Sequence, residues 1–512
     1  MFRIGVDVGG TNTDAVVMEG DTILSGVKSP TTEDVMSGVA ASIVDALGQS
    51  GVPADKVSAV MIGTTHFVNA VVERRHLARV AALRLCLPAA QCLPPMVDWP
   101  DDIREAVGGR FWMAKGGHEF DGREINALDM AELDAIAAEI GAAGIESVAI
   151  SSVFSPVNDA MERQAMEQLA KRLPDADFTL SSEIGRLGIL ERENAAIMNA
   201  SLRALSRRTV AAFGTALEQV GLSCPYYITQ NDGTLMNRDF VRAYPVLTFA
   251  SGPTNSMRGA SFLSGEADAI VVDIGGTTTD VGALVKGFPR QASTTVDVGG
   301  VRTNFRMPDV YSIALGGGTL VLDGGATVGP TSVGFRILEE ALVFGGTTLT
   351  TTDVVTALGL AQVGDGRAVA ELEASLLATA KARIDEMILN AVERMRVSPA
   401  PIPILAVGGG SILMPQKVGD LPVVRPNHFS VANAVGAAIG QISGEVDRIF
   451  SLAATTREEA LAEARREATE KAIAAGAAPE SIEVLDQEDV PLAYLPGDAT
   501  RIRLKVVGSM HA

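Results

Sequence analysis

The feature that most constrains this fold is a nine-residue phrase that occurs twice. Residues 6–14 read VDVGGTNTD and residues 272–280 read VDIGGTTTD, so seven of nine positions are identical. A β-branched run that ends in Asp-x-Gly-Gly-Thr-x-Thr-Asp suits a strand that turns tightly and pairs back as a hairpin. Such a turn exposes backbone N–H groups and hydroxyls, which can hold a phosphate. Two copies therefore predict two half-domains that close on one polyphosphate.

Length and charge exclude several classes of protein. With 512 residues, 47% of them hydrophobic, the chain can bury more than one core. The formal net charge of -20 argues against a nucleic-acid partner or an anionic membrane, because both need a broad positive surface. The charge of an anionic ligand must then be met locally, by backbone dipoles and a metal ion.

No targeting or disulfide signal is present in the sequence. No run approaches the ~18 apolar residues of a transmembrane helix, and Met1 lies two residues from the first predicted strand, which leaves no room for a signal peptide. We therefore expect a cytoplasmic protein that makes no membrane contact. Cys86, Cys92 and Cys224 form neither an even disulfide framework nor a Cys-x-x-Cys pair, so we expect reduced thiols. The histidines lack metal-ligand spacing, so we expect no zinc site.

Apolar strand-like runs alternate with Ala-rich helical stretches along the chain, which predicts an α/β fold. Long helices are predicted at 34–50, 190–220 and 456–475. A Pro- and Gly-rich segment that contains both tryptophans predicts an inserted lobe at about 88–125. The predicted domains are an N-terminal half at 1–187 that carries this lobe, a second half at 188–450, and a small C-terminal appendage at 451–512.

Two common phosphate sites are excluded by inspection. No Gly-x-x-x-x-Gly-Lys-Ser/Thr occurs, and neither glycine phrase is followed by the lysine that a P-loop places on the phosphates. The first strand also does not lead through Gly-x-Gly-x-x-Gly into a helix; it leads into Ala15-Val16-Val17-Met18, which predicts another strand. What remains resembles the phosphate-binding hairpins of actin, sugar kinases and heat-shock chaperones. That resemblance implies two RNase H-like, actin-like ATPase halves that clamp ATP and Mg²⁺.

Further motifs narrow the resemblance to one family. Their order along the chain is similar to that of the hydantoinase/oxoprolinase family A subunit. The motifs are Gly63-Thr64-Thr65-His66 with Asn69, Ser182-Glu183-Ile184-Gly185, Glu191-Arg192 with Asn199, Asn231-Asp232-Gly233, and Ser251-Gly252-Pro253 with Gly259, followed by the second hairpin. The likeness covers roughly residues 3–440. It implies an ATP-dependent hydrolase of cyclic amides (hydantoins, 5-oxoproline or other lactams) that works with a separate or fused B-type subunit, and hence an oligomer.

The chain departs from the longer members of that family in two places. Gly329-Pro330-Thr331-Ser332 stands where those members carry a Cys-containing stretch, and a short tail after residue 450 replaces a large C-terminal domain. The sequence thus resembles a short branch of the family. These departures bear on the identity of the substrate more than on that of the nucleotide. Alternatives are the related ATP-dependent ketone carboxylases, a small-metabolite kinase, or a nucleotide switch.

The hairpins and their flanking motifs supply the candidate site residues. Phosphoryl transfer needs positioning and neutralised charge, so backbone N–H groups, hydroxyls and Mg²⁺ should suffice. The candidates for holding the triphosphate are Gly9, Gly10, Thr11, Asn12 and Thr13 on one side and Gly275, Gly276, Thr277 and Thr278 on the other. By resemblance, Asp7 and Asp273 hold hydrated Mg²⁺ or orient the attacking group.

Other candidates carry a structural alternative. Asp14 and Asp280 are either catalytic or turn caps. Gly408, Gly409 and Gly410 suit close approach to the adenosine, or a plain strand-to-helix turn. The candidates for substrate contact are Thr64, Thr65, His66, Asn69, Asn231, Asp232, Gly316 and Gly317; for the last four, turn chemistry is the alternative.

Overall fold

The computed structural model of this chain describes residues 1–10, 12–30, 35–292, 295–398, 400–453, 455–493 and 498–510. Two large sheets, a four-stranded parallel sheet and two short hairpins make up its β-structure. Within these ranges, every helix is too short or too polar to cross a bilayer.

The strands are, in chain order, β1 (Phe2–Val8), β2 (Asn12–Glu19), β3 (Thr22–Pro30), β4 (Val57–Thr64), β5 (Val80–Leu87), β6 (Arg110–Lys115), β7 (Ser147–Ser152), β8 (Asp177–Leu180), β9 (Tyr226–Thr229), β10 (Thr234–Met236), β11 (Ala269–Ile274) and β12 (Thr279–Val285). They continue with β13 (Phe288–Pro289), β14 (Val296–Val298), β15 (Val301–Thr303), β16 (Val310–Ile313), β17 (Thr319–Leu322), β18 (Thr327–Ser332), β19 (Ile404–Val407), β20 (Lys417–Val418), β21 (Leu421–Val424), β22 (Gln441–Ser451), β23 (Glu483–Pro491) and β24 (Ala499–Gly508).

The α-helices are α1 (Val35–Ser50), α2 (His66–Val72), α3 (Asp101–Ala106), α4 (Met130–Ala142), α5 (Ala160–Ala170), α6 (Ile189–Gln219), α7 (Arg238–Ala243), α8 (Ser251–Ser264), α9 (Ile337–Glu340), α10 (Thr351–Ala357), α11 (Ala374–Met395), α12 (Ala432–Ala438) and α13 (Arg457–Ala474). The three long helices predicted from the sequence correspond to α1, α6 and α13. Capping boxes begin α10 at Thr350 and α13 at Thr456, since each cap hydroxyl and the acidic residue three positions later bond each other's backbone N–H.

Both large sheets contain the same arrangement of five strands. In the first, β3, β2 and β1 form an antiparallel meander, and β4 and β9 continue parallel to β1. In the second, β16, β12 and β11 form the meander, and β19 and β21 continue in parallel. This repetition confirms the predicted pair of RNase H-like halves within an α/β fold.

The sheets divide the chain differently from the predicted domain boundaries. The first sheet runs in the order β23-β24-β22-β10-β9-β4-β1-β2-β3, so β9 and β10 belong to it although they lie after residue 188. The residues after 450 extend this same sheet rather than forming an appendage. Strand pairing brings together segments far apart in sequence, which the local pattern does not encode.

The inserted unit is also larger than the predicted lobe at 88–125. Strands β6, β5, β7 and β8 form their own parallel sheet in that order, and a separate apolar core lies beneath it. Residues 88–125 contribute only β6 and α3 to this unit. The sequence suggested a loop-rich lobe because prolines and glycines dominate the connections on either side of β6.

Helix α13 shows how the C-terminal strands are held. Its buried residues are Ala460, Ala464, Ala468 and Ala472, which recur every fourth position and so form one stripe. A methyl group added to Gly444 in β22 would overlap the carbonyl oxygen of Ala468. Small side chains on both elements thus allow the helix to lie close against β22 and β24.

Helices α8 and α12 cross between the two halves with almost no side chain between them. A methyl group on Gly259 would overlap the carbonyl oxygen of Ala432, and one on Gly436 would overlap that of Asn255. Helix α8 also packs on the second sheet, while α12 packs on the first. Each helix therefore presents residues to the carboxyl ends of the central strands.

Candidate active site

The two repeated phrases form matching turns at the ends of β1 and β11. The N–H of Gly9 donates to the carbonyl oxygen of Asn12 across 3.0 Å, and the N–H of Gly275 donates to that of Thr278 across 2.9 Å. A methyl group on Gly10 would meet nothing within 4 Å, so open space lies in front of the first turn. Thr11 lies outside the described residues. The turns suit the predicted phosphate contacts, which stay a prediction.

Asp7 is held by two side-chain amides. Asn255 of α8 donates to Oδ1 across 2.9 Å, and Asn433 of α12 donates to Oδ2 across 3.0 Å. Burial raises the pKa of Asp7 to about 6; the amides oppose this shift, and the charges of Asp14 and Asp273 add to it. The carboxylate is therefore oriented by neutral donors and repelled by its acidic neighbours.

Asp14 lies directly across from Asp7 in the β1–β2 ladder. It is 1% exposed, receives a second hydrogen bond from Asn433 at 2.8 Å, and forms an ion pair with Lys28 at 2.7 Å. Burial raises the pKa of Asp14, and the charge of Lys28 opposes that rise. This arrangement differs from a turn-capping role, because the carboxylate contacts side chains of β3 and α12.

Asp273 and Asp280 repeat this relationship in the second half. They are cross-strand partners in the β11–β12 ladder. Burial raises the pKa of both carboxyl groups, to about 6 for Asp280; Ser256 bonds Asp273 and Ser312 bonds Asp280, and each bond opposes the shift. The charge of Asp273 also raises the pKa of Asp7, and the adjacent residues Asn255 and Ser256 of α8 bond Asp7 and Asp273, so the two halves bring these aspartates to one site.

Glycines make room for both central carboxylates. Gly63 is the partner of Asp7 in β4, and a methyl group there would overlap Oδ1 of Asp7 and Nδ2 of Asn255. Gly408, at the end of β19, has φ +83°, and a methyl group there would overlap Oδ1 of Asp273. The predicted glycine cluster 408–410 thus lies against the second hairpin. Its proposed contact with adenosine stays a prediction.

The loop at Gly316 and Gly317 packs on the second turn rather than on the first half. Gly317 donates to the carbonyl oxygen of Gly275 across 3.0 Å, and Gly318 donates to that of Gly276 across 2.8 Å. A methyl group on Gly316 would overlap the backbone of Gly276. These glycines buttress the turn, so their backbone N–H groups are taken up by the protein and a substrate contact for them stays a prediction.

The predicted motif after β4 lies beside the N-terminus of α8. The hydroxyl of Ser251 donates to the carbonyl oxygen of Thr64 and accepts from its N–H, at 2.9 and 3.1 Å. His66 begins α2, and burial lowers its pKa, which favours the neutral imidazole. Asn69 is exposed and donates to the hydroxyl of Thr65 across 3.3 Å. Thr64 is buried, Thr65 and His66 are half-buried and Asn69 is exposed, and a substrate contact for these residues stays a prediction.

Asn231 and Asp232 differ from the predicted substrate contact, because their side chains are committed internally. The amide of Asn231 donates to the carbonyl oxygens of Val246 and Arg306, and its oxygen accepts from the N–H of Ala250. Asp232 pairs with Lys505 of β24 and accepts from Thr234. Both residues brace the sheet and loops behind the site.

The donor set fits a hydrated Mg²⁺. In the described parts of the chain, no three His, Cys, Asp or Glu side chains converge as a closed metal cage. Asp7 and Asp273 instead offer carboxylate oxygens from two facing hairpins, and the charge of Asp273 raises the pKa of Asp7, an effect that a bound cation would oppose. Mg²⁺ binds through one or two carboxylates, substrate phosphates and several waters.

Sequence reasoning missed Lys28, Asn255 and Asn433. Asn255 lies four positions after Ser251, which belongs to a motif identified in the sequence. Residues four apart lie on the same face of a helix, so this spacing could have indicated that Asn255 also faces the site. Nothing around Lys28 or Asn433 carries a local signal. Their importance follows from strand pairing and helix packing.

Comparisons with known proteins match the chain to one family and to several relatives. The family model for the hydantoinase/oxoprolinase N-terminal region matches residues 3–173, and that for hydantoinase/oxoprolinase matches residues 192–367. The caprolactamase subunit alpha of Pseudomonas jessenii is 27% identical over 474 residues, which are 85% of this chain and 65% of that protein. The acetophenone carboxylase gamma subunit of Aromatoleum aromaticum is 24% identical over 229 residues, 42% of this chain and 31% of that subunit. This chain thus spans less than two thirds of either relative.

Two solved structures share the fold over nearly the whole chain. The ATP-dependent caprolactamase from Pseudomonas jessenii matches with a TM-score of 0.79 and 20% identity, covering 99% of this chain and 88% of that one. A nucleotide-free acetone carboxylase matches with a TM-score of 0.70 and 17% identity, with the same coverage. These likenesses extend through the inserted sheet and the C-terminal strands.

Proposed function

Because the chain belongs to the hydantoinase/oxoprolinase family, we propose that it is an ATP-dependent hydrolase of cyclic amides, or the ATP-handling subunit of one. The substrates would be hydantoins, 5-oxoproline or lactams. The observation that carries the proposal is the pair of matching turns, whose aspartates Asp7 and Asp273 are bonded by the adjacent residues Asn255 and Ser256 of α8. The caprolactamase relative supports a ring amide as the substrate class.

The chemistry begins with an amide carbonyl, which is a poor electrophile. Transfer of the γ-phosphoryl group of ATP to the carbonyl oxygen converts that oxygen into a phosphate ester and releases ADP. Water then adds to the activated carbon, and the ring C–N bond breaks as the nitrogen takes up a proton, which leaves an acyl phosphate. A second water hydrolyses the acyl phosphate to a carboxylate and phosphate. The protein's task is to align the carbonyl oxygen with the γ-phosphorus and to stabilise the spreading negative charge.

The residues of this chain would divide that task between the halves. The backbone N–H groups of the turns at Gly9–Gly10 and Gly275–Gly276 would bind phosphate oxygens. Asp7, oriented by Asn255, and Asp273 would hold Mg²⁺ through its waters. When bound, Mg²⁺ would neutralise phosphate charge and keep the γ-phosphoryl group in line.

Thr64, Thr65, His66 and Asn69 would line the substrate side, next to Asp7. A neutral His66 could accept a hydrogen bond from the ring N–H at its free nitrogen, or donate one to a carbonyl oxygen. Asp14 is the cross-strand neighbour of Asp7, and Asp280 is that of Asp273. The two neighbours would set the electrostatic surroundings of the metal-holding pair.

A second subunit would complete the hydrolysis. Within the described residues we find no converging Ser/His/Asp or Cys/His arrangement at this cleft, and the caprolactamase relative is itself named as one subunit of an enzyme. We therefore propose a hetero-oligomer in which a B-type partner docks at the mouth formed by residues 64–69 and the loop around Gly316. A phosphorylated amide would be lost to solvent, which favours a sheltered path between the subunits.

Purified chain, with and without the co-encoded second subunit, tests this proposal. ATP turnover and ring opening are measured with Mg-ATP and a panel of hydantoins and lactams. We expect turnover to depend on a cyclic amide, and complete ring opening to require the partner. ATP turnover that no cyclic amide stimulates would contradict the substrate class; full-rate ring opening by the isolated chain would contradict the division of labour.

The carboxylase alternative rests on the acetophenone carboxylase relative. Its signature would be ATP turnover stimulated by a ketone together with bicarbonate, with label from bicarbonate recovered in a carboxylated product. A metabolite kinase would instead leave a stable phosphorylated product. A nucleotide switch would hydrolyse ATP and form neither a carboxylated nor a phosphorylated product. The same assay separates all of these outcomes.

A further inference from the structure

A row of polar residues crosses four adjacent strands of the first sheet at the level of Asp7. Lys28 in β3 is the register partner of Asp14 in β2, Asp14 is the partner of Asp7 in β1, and Asp7 is the partner of Gly63 in β4. Directly paired residues on neighbouring strands lie on one face of a sheet. Lys28, Asp14 and Asp7 therefore present their side chains side by side, and Gly63 leaves the space that Asp7 occupies.

The second sheet carries the corresponding row. Ser312 in β16 is the partner of Asp280 in β12, and Asp280 is the partner of Asp273 in β11. Asp273 is in turn the partner of Val407 in β19, the residue before Gly408. In both rows the outer residue bonds the nearer aspartate: Lys28 bonds Asp14, and Ser312 donates to Asp280. The rows correspond at their first three positions, and the difference in charge between them is Lys28 against Ser312; at the fourth position Gly63 stands against Val407.

Lys28 is placed to act on more than its partner. Its ammonium lies 2.7 Å from both carboxylate oxygens of Asp14, and its side chain is 32% exposed while that of Asp14 is 1% exposed. The ammonium is therefore open to solvent, whereas the aspartate that holds it is buried. Its charge also reaches the second half, where it lowers the pKa of Asp273 against the effect of burial.

The positive charge of Lys28 thus acts on two of the four aspartates, Asp14 in its own half and Asp273 in the other. A triphosphate beside four carboxylates is stabilised by positive charge in addition to that of Mg²⁺, and the backbone turns supply only partial charges. An ammonium held by a buried carboxylate is oriented without being removed from solvent.

We infer that Lys28 is a phosphate-binding residue, which Asp14 holds toward the β- and γ-phosphates of ATP between the two hairpins. This inference rests on the proposed function in requiring ATP as the ligand. The competing explanation is a structural ion pair, in which Lys28 only neutralises buried Asp14. The two explanations differ in what happens when both charges are removed together.

The test compares equilibrium binding of ATP and adenosine to Lys28→Met, to Lys28→Met/Asp14→Asn and to the unaltered protein. If Lys28 binds phosphate, both variants should bind ATP about 10- to 100-fold more weakly, as loss of a charged hydrogen bond implies, while adenosine affinity changes less than about 2-fold. Lys56→Met, which removes an exposed lysine from the first half, controls for net charge. Melting temperatures identify variants that fail to fold.

The double variant decides between the explanations, because it leaves no unpaired buried charge and should fold even if Lys28→Met does not. ATP affinity restored to within about 2-fold in the double variant would overturn the inference and support the structural ion pair, and so would equal losses for ATP and adenosine. Failure of the unaltered protein to bind ATP would overturn the proposed function as well as the role of Lys28. The ATP affinity of the unaltered protein therefore distinguishes failure of the proposed function from failure of this inference alone.

Discussion

Asn255 donates its side-chain amide to Oδ1 of Asp7 across 2.9 Å, although the two residues lie 248 positions apart. The next residue, Ser256, bonds Asp273 of the opposite half. One turn of α8 therefore contacts the central carboxylate of both hairpins. This makes α8 the element that sets the spacing of the two aspartates.

Removal of that amide should impair the site without unfolding the protein. In Asn255→Leu, Asp7 loses a hydrogen bond that favours its ionised form, so its pKa should rise above the value of about 6. We expect the acid limb of the pH profile for ATP turnover to move to higher pH. A profile whose acid limb is unchanged would show that Asn255 does not tune Asp7.

The two central aspartates should act as one unit. Asp7→Ala and Asp273→Ala should each abolish Mg²⁺-dependent ATP turnover, and the double variant should be no worse than either single one. Measured turnover at saturating Mg²⁺, with melting temperatures as the control for folding, checks this. Near-normal activity in either single variant would rule out a shared metal site.

Gly63 should tolerate no side chain. A methyl group there would overlap both Asp7 and Asn255, so Gly63→Ala should lower ATP turnover by at least about 10-fold through displacement of the carboxylate. Gly48→Ala is the matched control, because its methyl group would meet nothing within 4 Å in helix α1. Equal activity in the two variants would show that the close approach at Gly63 is not needed.

The Asp232–Lys505 pair should anchor β24 to the loops behind the site. Lys505→Met leaves a buried carboxylate unpaired and should destabilise the protein by about 3 to 5 kcal/mol, whereas Lys505→Met/Asp232→Asn should cost much less. Denaturant unfolding of the single and double variants measures this. Additive losses would contradict a coupled pair.

The same pair predicts a pH dependence of stability. Burial would raise the pKa of Asp232, but Lys505 outweighs it and holds the value at about 2, below the ordinary 3.8. The stabilisation is therefore complete above about pH 4 and is lost as the pH falls towards 2. The difference in melting temperature between the unaltered protein and Asp232→Asn should shrink over that range; a constant difference would refute it.

How far the sequence predicts this molecule depends on the range of each interaction. The hairpins and the register of Asp7 with Asp14 follow from one short phrase, and α6 follows from its own periodicity. Asn433 and Lys28 gain their roles through contacts between distant strands and helices. Asp232 was interpreted as a substrate residue, because nothing near it in sequence reveals Lys505, 273 positions away.

The strand assignments show the same limit. Residues after 450 carry strand-like patterns, yet their place beside β22 depends on which sheet edge is free when they fold. The boundaries at 188 and 451 marked changes in local composition. The sheets cross both of them because hydrogen bonding between strands ignores sequence distance.

The 426 positions that separate Asp7 from Asn433 also set an order of events on the ribosome. At typical rates of translation, the first hairpin emerges about 20 to 85 seconds before α12 is made. During that time a nascent chain has the first carboxylates but lacks an amide that orients them. We expect ribosome-bound chains that are stalled before residue 433 not to retain ATP. An unfinished protein would then not hydrolyse ATP during its own translation.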